Sequence, residues 1–269
     1  MNEAGERAQG ARIGLSPRVA ESIAADLRKR ILRSEADDIP LPRQDDLTAQ
    51  YGVSGPSLRE ALRILEAEGL ITVRRGKFGG AYVHKPNWSS AAYAFALSLQ
   101  GQGVTVADLA ATILTIEPMC AAACAQRADR HETIVPALEE TLRDTEAHIG
   151  DGARYSAAAR IFHDVLVSGL DNQTMQLLVR AMVAIWSIQE QTWAESANAA
   201  SQYPGVEPQR ESHRTHAALV RLIADGDVEG ASKLATAHLR ATQAIVLERY
   251  GAEIVDASSL AAVQAFKSL

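Results

Sequence analysis

The sequence predicts a mainly α protein in two parts: a small N-terminal unit of helices closed by a two-stranded β hairpin, then an all-α antiparallel helical bundle. Three observations point there. Apolar residues recur at helical spacing through most of the 269 residues. Strand-forming residues around a glycine-rich tip cluster between Leu70 and Val83. Beyond His84 the strand signal fades, and Ala-rich amphipathic segments follow one another between short Gly, Pro and Asp breakers.

Taken in order, residues 1–14 are polar and aperiodic and predict a flexible arm. From Ser16 or Pro17 the apolar positions Val19, Ile23, Leu27 and Ile31 repeat every four residues, giving a first helix to about Arg33. SEADDIPLP reads as a loop, and Pro42 precedes a second helix. Gly52 falls where the turn to a third helix needs positive φ or close approach, Val53 plugs that turn, Ser54 can cap the third helix, and Pro56 suits its first turn. In that helix Leu58, Ala61, Leu62 and Leu65 share one face, leaving Arg59, Arg63 and Glu66 on the other. Gly69 stops it. Leu70 to Val73 then read as a strand, residues 74–80 as a basic glycine-rich tip with Arg74, Arg75, Gly76 and Lys77, and Ala81 to Val83 as the returning strand.

Two helices about a tight turn followed by such a hairpin make a winged helix-turn-helix. A helix of this length fits a major groove, and a basic two-stranded tip can reach a phosphate or the neighbouring minor groove. Charge agrees with double-stranded DNA as the partner. Residues 1–86 hold fourteen Lys or Arg against twelve Asp or Glu, whereas the remainder holds thirteen against twenty-one, so the net charge of -6 comes from the second part. An excess this small predicts weak binding by one copy and strong binding only by two.

HKPNWSS has no periodicity and marks the boundary, giving a winged unit over 15–84, a linker over 85–90 and a helical unit over 91–269. Helices are expected near 89–101, 105–127, 131–149, 153–169, 173–197, 208–225, 227–250 and 252–266, an antiparallel bundle by their short separators. Cys120 and Cys124 stand one turn apart on a small-residue face and predict buried free thiols rather than a metal pair. No apolar run suggests a membrane span, and the charged start does not read as a secretory leader, so a cytoplasmic location is expected.

With these residues in place, LPRQDDLTAQYGVSGPSLREALRILEAEGLITVRRG resembles the N-terminal domain of GntR-type bacterial regulators. The helical remainder resembles the effector-binding FCD domain of their FadR subfamily. The resemblance implies a homodimeric transcription regulator that binds a palindromic operator and releases it or tightens on it when a small-molecule effector enters the helical domain; a repressor is the leading expectation. By position, Arg59 matches an arginine that contacts phosphate or guanine, Arg75 and Gly76 match a minor-groove reader, and Ser54 and Ser57 fall at phosphate-holding hydroxyls. Where the family often carries arginines this chain has Gly55 and Asp45, with Arg43 two residues upstream of the latter as a substitute. Losing two guanidinium groups removes up to two base contacts worth about 1–3 kcal/mol each, so the operator should differ from the family's best-known ones.

The same resemblance implies a divalent metal, Zn or Ni, on His163, His216 and His238, since neutral imidazoles converging in a bundle suit such ions. Ala159 stands where the usual aspartate would, one turn before His163, and Asp164 is turned about 100° away along the helix. Loss of the anionic ligand lowers the expected affinity. His213 is an extra donor one turn from His216, and Arg160, Trp186 and Gln189 join it as expected pocket walls. Ile113 occupies the position of an arginine that grips effector carboxylates in relatives, which points to a less anionic effector.

Two other readings compete. A metal-dependent hydrolase on His163, His216 and His238 wants a placed carboxylate base where Ala159 stands, and no phosphate loop, nucleophile elbow or HExxH motif is present. A winged-helix adaptor for protein would bind with little dependence on salt, unlike a DNA-binding module.

Overall fold

The computed structural model describes residues 17–34, 38–74 and 79–268, and the predicted arm lies outside them. Contacts divide the chain into two compact units, one up to Asn87 and one from Trp88 onward. The first contains α1 (Pro17–Arg33), α2 (Gln44–Tyr51), α3 (Gly55–Ala67) and the antiparallel pair β1 (Ile71–Arg74) and β2 (Gly80–Val83). Its core joins Ala20, Ile23, Ala24, Leu27 and Ile31 of α1 to Leu47, Leu58, Ala61, Leu65 and Ile71. Val19, expected on the buried stripe, is 38% exposed; Ala20 and Ala24 are buried instead, so the face of α1 in the core is turned toward them.

Both predicted glycine stops hold. Gly52 has φ +62° and Gly69 φ +73°, a region costly for side chains with a Cβ. After Gly69, the Leu70 amide donates to Leu65 O at 3.0 Å, closing the end of α3. Leu70 is thereby used as a cap, and the strand starts one residue later than its sequence suggests. Ile71 pairs with Val83 and Arg74 with Gly80. The loop before α2 also joins in: Leu41 N donates to Ala81 O at 2.7 Å and Val83 N to Ile39 O at 2.8 Å, satisfying the outer edge of β2.

The second unit is all helical apart from one bridge: α4 (Trp88–Gly101), α5 (Val106–Gln126), α6 (Ile134–Glu146), α7 (Gly152–Ser168), α8 (Gln173–Ala199), α9 (Val206–Asp225), α10 (Val228–Tyr250) and α11 (Leu260–Ser268). The α5 helix lies along α10, α8 packs on α7 and α4, and α6 meets α7 and α9. Helix α4 begins inside the expected linker because Trp88 packs against the bundle core. The expected last helix is shorter than predicted. Residues 251–259 form a non-helical segment with one bridge at Ile254, Val106 N donating to Glu253 O at 2.8 Å and Val255 N to Val104 O at 3.0 Å. Periodicity misleads here because Val255 and Ala257 are buried by this strand-like contact rather than on a helix face.

Contrary to the sequence expectation, α5 is long and apolar enough to cross a membrane. Ile113, Cys120, Ala121 and Cys124 instead fill the bundle core. Both cysteines are buried and free, and Cys124 Sγ donates to Leu166 O at 3.2 Å.

Candidate functional site

In the first unit α3 is amphipathic in the expected sense. Leu58, Ala61 and Leu65 are buried, while Arg59 and Arg63 stand exposed. Arg59 has no ion pair among the described residues, and its guanidinium lies beside Gly55, where an added Cβ would sit 3.2 Å from Nη1. Arg63 meets Glu60 at 3.3 Å. Arg43 is exposed at the N-terminal end of α2.

The two serines behave differently from expectation. Ser54 occupies the N-cap of α3 without a side-chain capping bond, because its Oγ lies 3.0 Å from Oγ of Ser57, and Ser57 is buried. Their hydroxyls therefore engage each other, and only Ser54 is exposed. Arg74 pairs with Asp38 at 3.2 Å and lies over the Tyr82 ring at 4.0 Å, so it is anchored on the hairpin. Arg75, Gly76 and Lys77 lie outside the described residues.

The second unit encloses a cavity with about 820 Å³ of atom-free space, open to solvent on one side and walled by α5, α7, α8, α9 and α10. The three predicted histidines converge on it. His163 comes from α7, His216 from α9 and His238 from α10, and one nitrogen of each falls within 4.8 Å of the others. Nε2 of His216 and Nε2 of His238 are 2.9 Å apart. The His216 ring stacks on Phe162 with centroids 4.1 Å apart, which fixes its plane.

Electrostatics sets their charge states. Burial drives the His216 pKa well below its ordinary value, aided by His238, His163 and His213. Burial, with His163, takes His238 down to about 3. Both rings are thus neutral, the form that offers a lone pair to a metal. Burial also opposes charge on His163, but the Glu117 carboxylate, bonded to Nδ1, outweighs it, with Glu190 and Asp164 adding in the same direction. A Glu117 carboxylate accepting from Nδ1–H leaves Nε2 of His163 for a cation, the usual carboxylate–histidine arrangement behind a metal. The residues therefore fit a divalent ion with three nitrogen donors.

Ala159 lines the cavity one turn before His163, as the spacing on α7 requires. Arg160 and Trp186 also line it. His213 and Gln189 do not, contrary to expectation. His213 falls outside both the cavity wall and the histidine group. Gln189 faces the other side of α8, where its amide donates to Asp256 O and accepts from Asp256 N, both at 3.0 Å.

Sequence reasoning missed Glu117, Glu190, Trp193, Tyr155 and Tyr203. For Glu190 and Trp193 a signal existed: Trp186, Glu190 and Trp193 are spaced four and three apart, which puts them on one face of α8. Glu117 was hidden among apolar neighbours, where periodicity shows burial but not a polar partner from another helix.

Comparison with known proteins gives matches on both units. Residues 15–83 match the gntR family of bacterial regulatory proteins, and residues 108–241 match the FCD domain. Over 209 residues the chain is 29% identical to RmpR of Mycobacterium gastri, described as an HTH-type transcriptional regulator, covering 74% of this chain and 69% of that one. Among solved structures, a GntR protein of Streptococcus agalactiae superposes with a TM-score of 0.64 at 20% identity, over 84% of this chain and 99% of that one, a likeness of fold.

Proposed function

Because the chain belongs to the GntR family of bacterial regulatory proteins, carries an FCD domain and is accordingly a DNA-binding transcription regulator and not an enzyme, we propose that it is a ligand-responsive repressor of the FadR subfamily. It binds a palindromic operator as a homodimer in the cytoplasm and answers a small metabolite held in the histidine-lined cavity. In this reading residues 15–84 read DNA, and residues 91–269 bind effector and pair the two copies.

One observation carries the DNA-binding half of this reading. Helix α3 is anchored by a buried Leu58–Ala61–Leu65 face and holds Arg59 outward with no ion pair among the described residues. A guanidinium so placed can meet guanine O6 and N7 or a phosphate. Arg43 and Ser54 supply further backbone contacts, Arg63 extends the same face, and Arg74, Arg75, Gly76 and Lys77 form the wing's contribution. Ser57 acts by positioning Ser54. Two such helices must stand about 34–36 Å apart to meet both half-sites.

Effector control follows from differential affinity. A ligand that prefers one arrangement of the dimer shifts the population by that preference alone. His163, His216 and His238 would hold a divalent metal, which when bound supplies a Lewis-acidic point that fixes one end of the effector. Glu117 sets the His163 ring so that Nδ1 keeps its proton, and Phe162 holds the His216 plane. Arg160 and Trp186 shape the remaining wall.

The test is recovery of a duplex from a random-sequence library, followed by anisotropy titration. A specific duplex should bind with a dissociation constant of about 10⁻⁸–10⁻¹¹ M at physiological salt and lose affinity steeply as salt rises. Equal affinity for all duplexes, or no salt dependence, would reject the assignment.

A further inference from the structure

The cavity of the second unit has one charged group left without a partner. Of the charged side chains on its wall, Glu117 is bonded to His163 and Arg160 donates to Gln191 Oε1 at 2.6 Å. Among the described residues no hydrogen bond or ion pair meets the Glu190 carboxylate. Three neutral polar groups of the same wall are also engaged. Tyr155 Oη donates to Gln209 O at 2.7 Å, Tyr203 Oη shares a 2.5 Å hydrogen bond with Ser156, and Thr242 Oγ1 donates to His238 O at 3.1 Å.

Around Glu190 the wall is aromatic. Trp186 lies one turn before it on α8 and Trp193 one turn after, and both line the cavity. Tyr203 packs on Trp193 with ring centroids 5.5 Å apart. With the phenolic hydroxyls turned to the protein, what these residues offer a ligand is aromatic surface. A lone carboxylate between two indoles is complementary to one kind of group, a positively charged nitrogen, which gains from the anion and from the electron-rich ring faces together. An anionic group seated between the two indoles would meet the Glu190 carboxylate and lose affinity by like-charge repulsion.

We infer that the effector of this cavity carries an organic ammonium group, seated beside Glu190 between Trp186 and Trp193. The assignment rests on the reading of the cavity as the effector site and narrows its ligand class to amines. Burial pushes the Glu190 carboxyl pKa up, with Arg160 and His163 opposing, so its ionised form lacks solvation that a bound cation would supply. Arg160 lies on the neighbouring helix α7 and can donate to a second, electronegative end of the same molecule.

The experiment uses three probes of one shape: 2-phenylethylamine, 2-phenylethanol and 3-phenylpropionate. Each is titrated into the full-length protein, zinc-loaded and chelator-dialysed, by calorimetry and by tryptophan fluorescence. The amine should bind at least tenfold more tightly than the alcohol, and the carboxylate should bind more weakly still. Glu190→Gln should lose at least tenfold for the amine and nothing for the alcohol, whose unchanged affinity shows that the pocket is intact. A carboxylate that binds best, or an amine indifferent to Glu190→Gln, overturns the inference. Operator affinity measured in parallel separates the two readings. An amine bound in the cavity without any change in DNA affinity overturns effector control and supports the ligand class. Release of DNA by carboxylates alone, with no bound amine, does the reverse.

Discussion

Arg59→Ala is the perturbation that separates DNA recognition from folding most cleanly. The side chain is exposed and has no ion pair among the described residues, and the face of α3 that builds the core lies opposite it. Its removal should therefore change folding stability by no more than about 0.5 kcal/mol. On DNA the accounting differs. If each Arg59 holds a guanine, each loses about 1–3 kcal/mol, and two recognition helices in a dimer lose about 2–6 kcal/mol, or about 30-fold to 10⁴-fold in affinity. If each holds a phosphate, the slope of log affinity against log salt should flatten by about 0.9 per contact, hence about 1.8 for the dimer, with little change in sequence preference. Anisotropy titrations on selected and scrambled duplexes between about 50 and 200 mM salt distinguish these outcomes. Wild-type affinity and slope in the variant would refute the role given to α3. A melting temperature lowered by several degrees would equally refute the claim that Arg59 faces outward. Arg63→Ala, which also breaks the 3.3 Å pair with Glu60, is the companion variant and should fall short of Arg59→Ala in its effect.

Three further outcomes are expected. Ala159→Asp adds an anionic donor to the cavity wall one turn before His163 and should raise zinc affinity at least tenfold (about 1.4 kcal/mol) in chelator competition; unchanged affinity would place the metal away from this wall. Burial pushes both cysteine pKa values up to about 12, so the neutral thiol persists at pH 8, with thiolate near one part in 10⁴; labelling of Cys120 and Cys124 should track global unfolding, and rapid labelling of the folded protein would contradict their burial. Gly52→Ala meets no atom within 4 Å but must keep φ near +62°, so thermal melts should report a loss of about 1–2 kcal/mol; a neutral result would mean the turn relaxes.

What was legible in the sequence depends on how locally each feature is specified. The winged unit read well because its devices are short-range: Gly52 and Gly69 enforce a backbone sign, and the Leu58–Leu65 stripe fixes which side of α3 is free. Even there, the edge of β2 is completed by residues 39–41, forty positions earlier, and no local pattern announces that. The bundle shows the same divide. His163, His216 and His238 could be assembled only through a resemblance, since they come from three helices, yet they converge. Gln189 and Trp186 looked equivalent as polar-tipped residues on one helix, but their angular offset sends one to Asp256 and the other to the cavity. Glu117 illustrates the opposite failure. Its apolar neighbourhood predicts burial correctly, and a buried carboxylate has to find a partner, but the partner, His163, is supplied by a helix forty-six residues away. The anionic support of His163 therefore comes from Glu117 on α5 rather than from residue 159 on α7. That placement leaves the coordinating face of the site to nitrogen donors. A divalent ion here would rest on the three histidine nitrogens, while the carboxylate of the cavity wall that meets no hydrogen bond or ion pair among the described residues is Glu190.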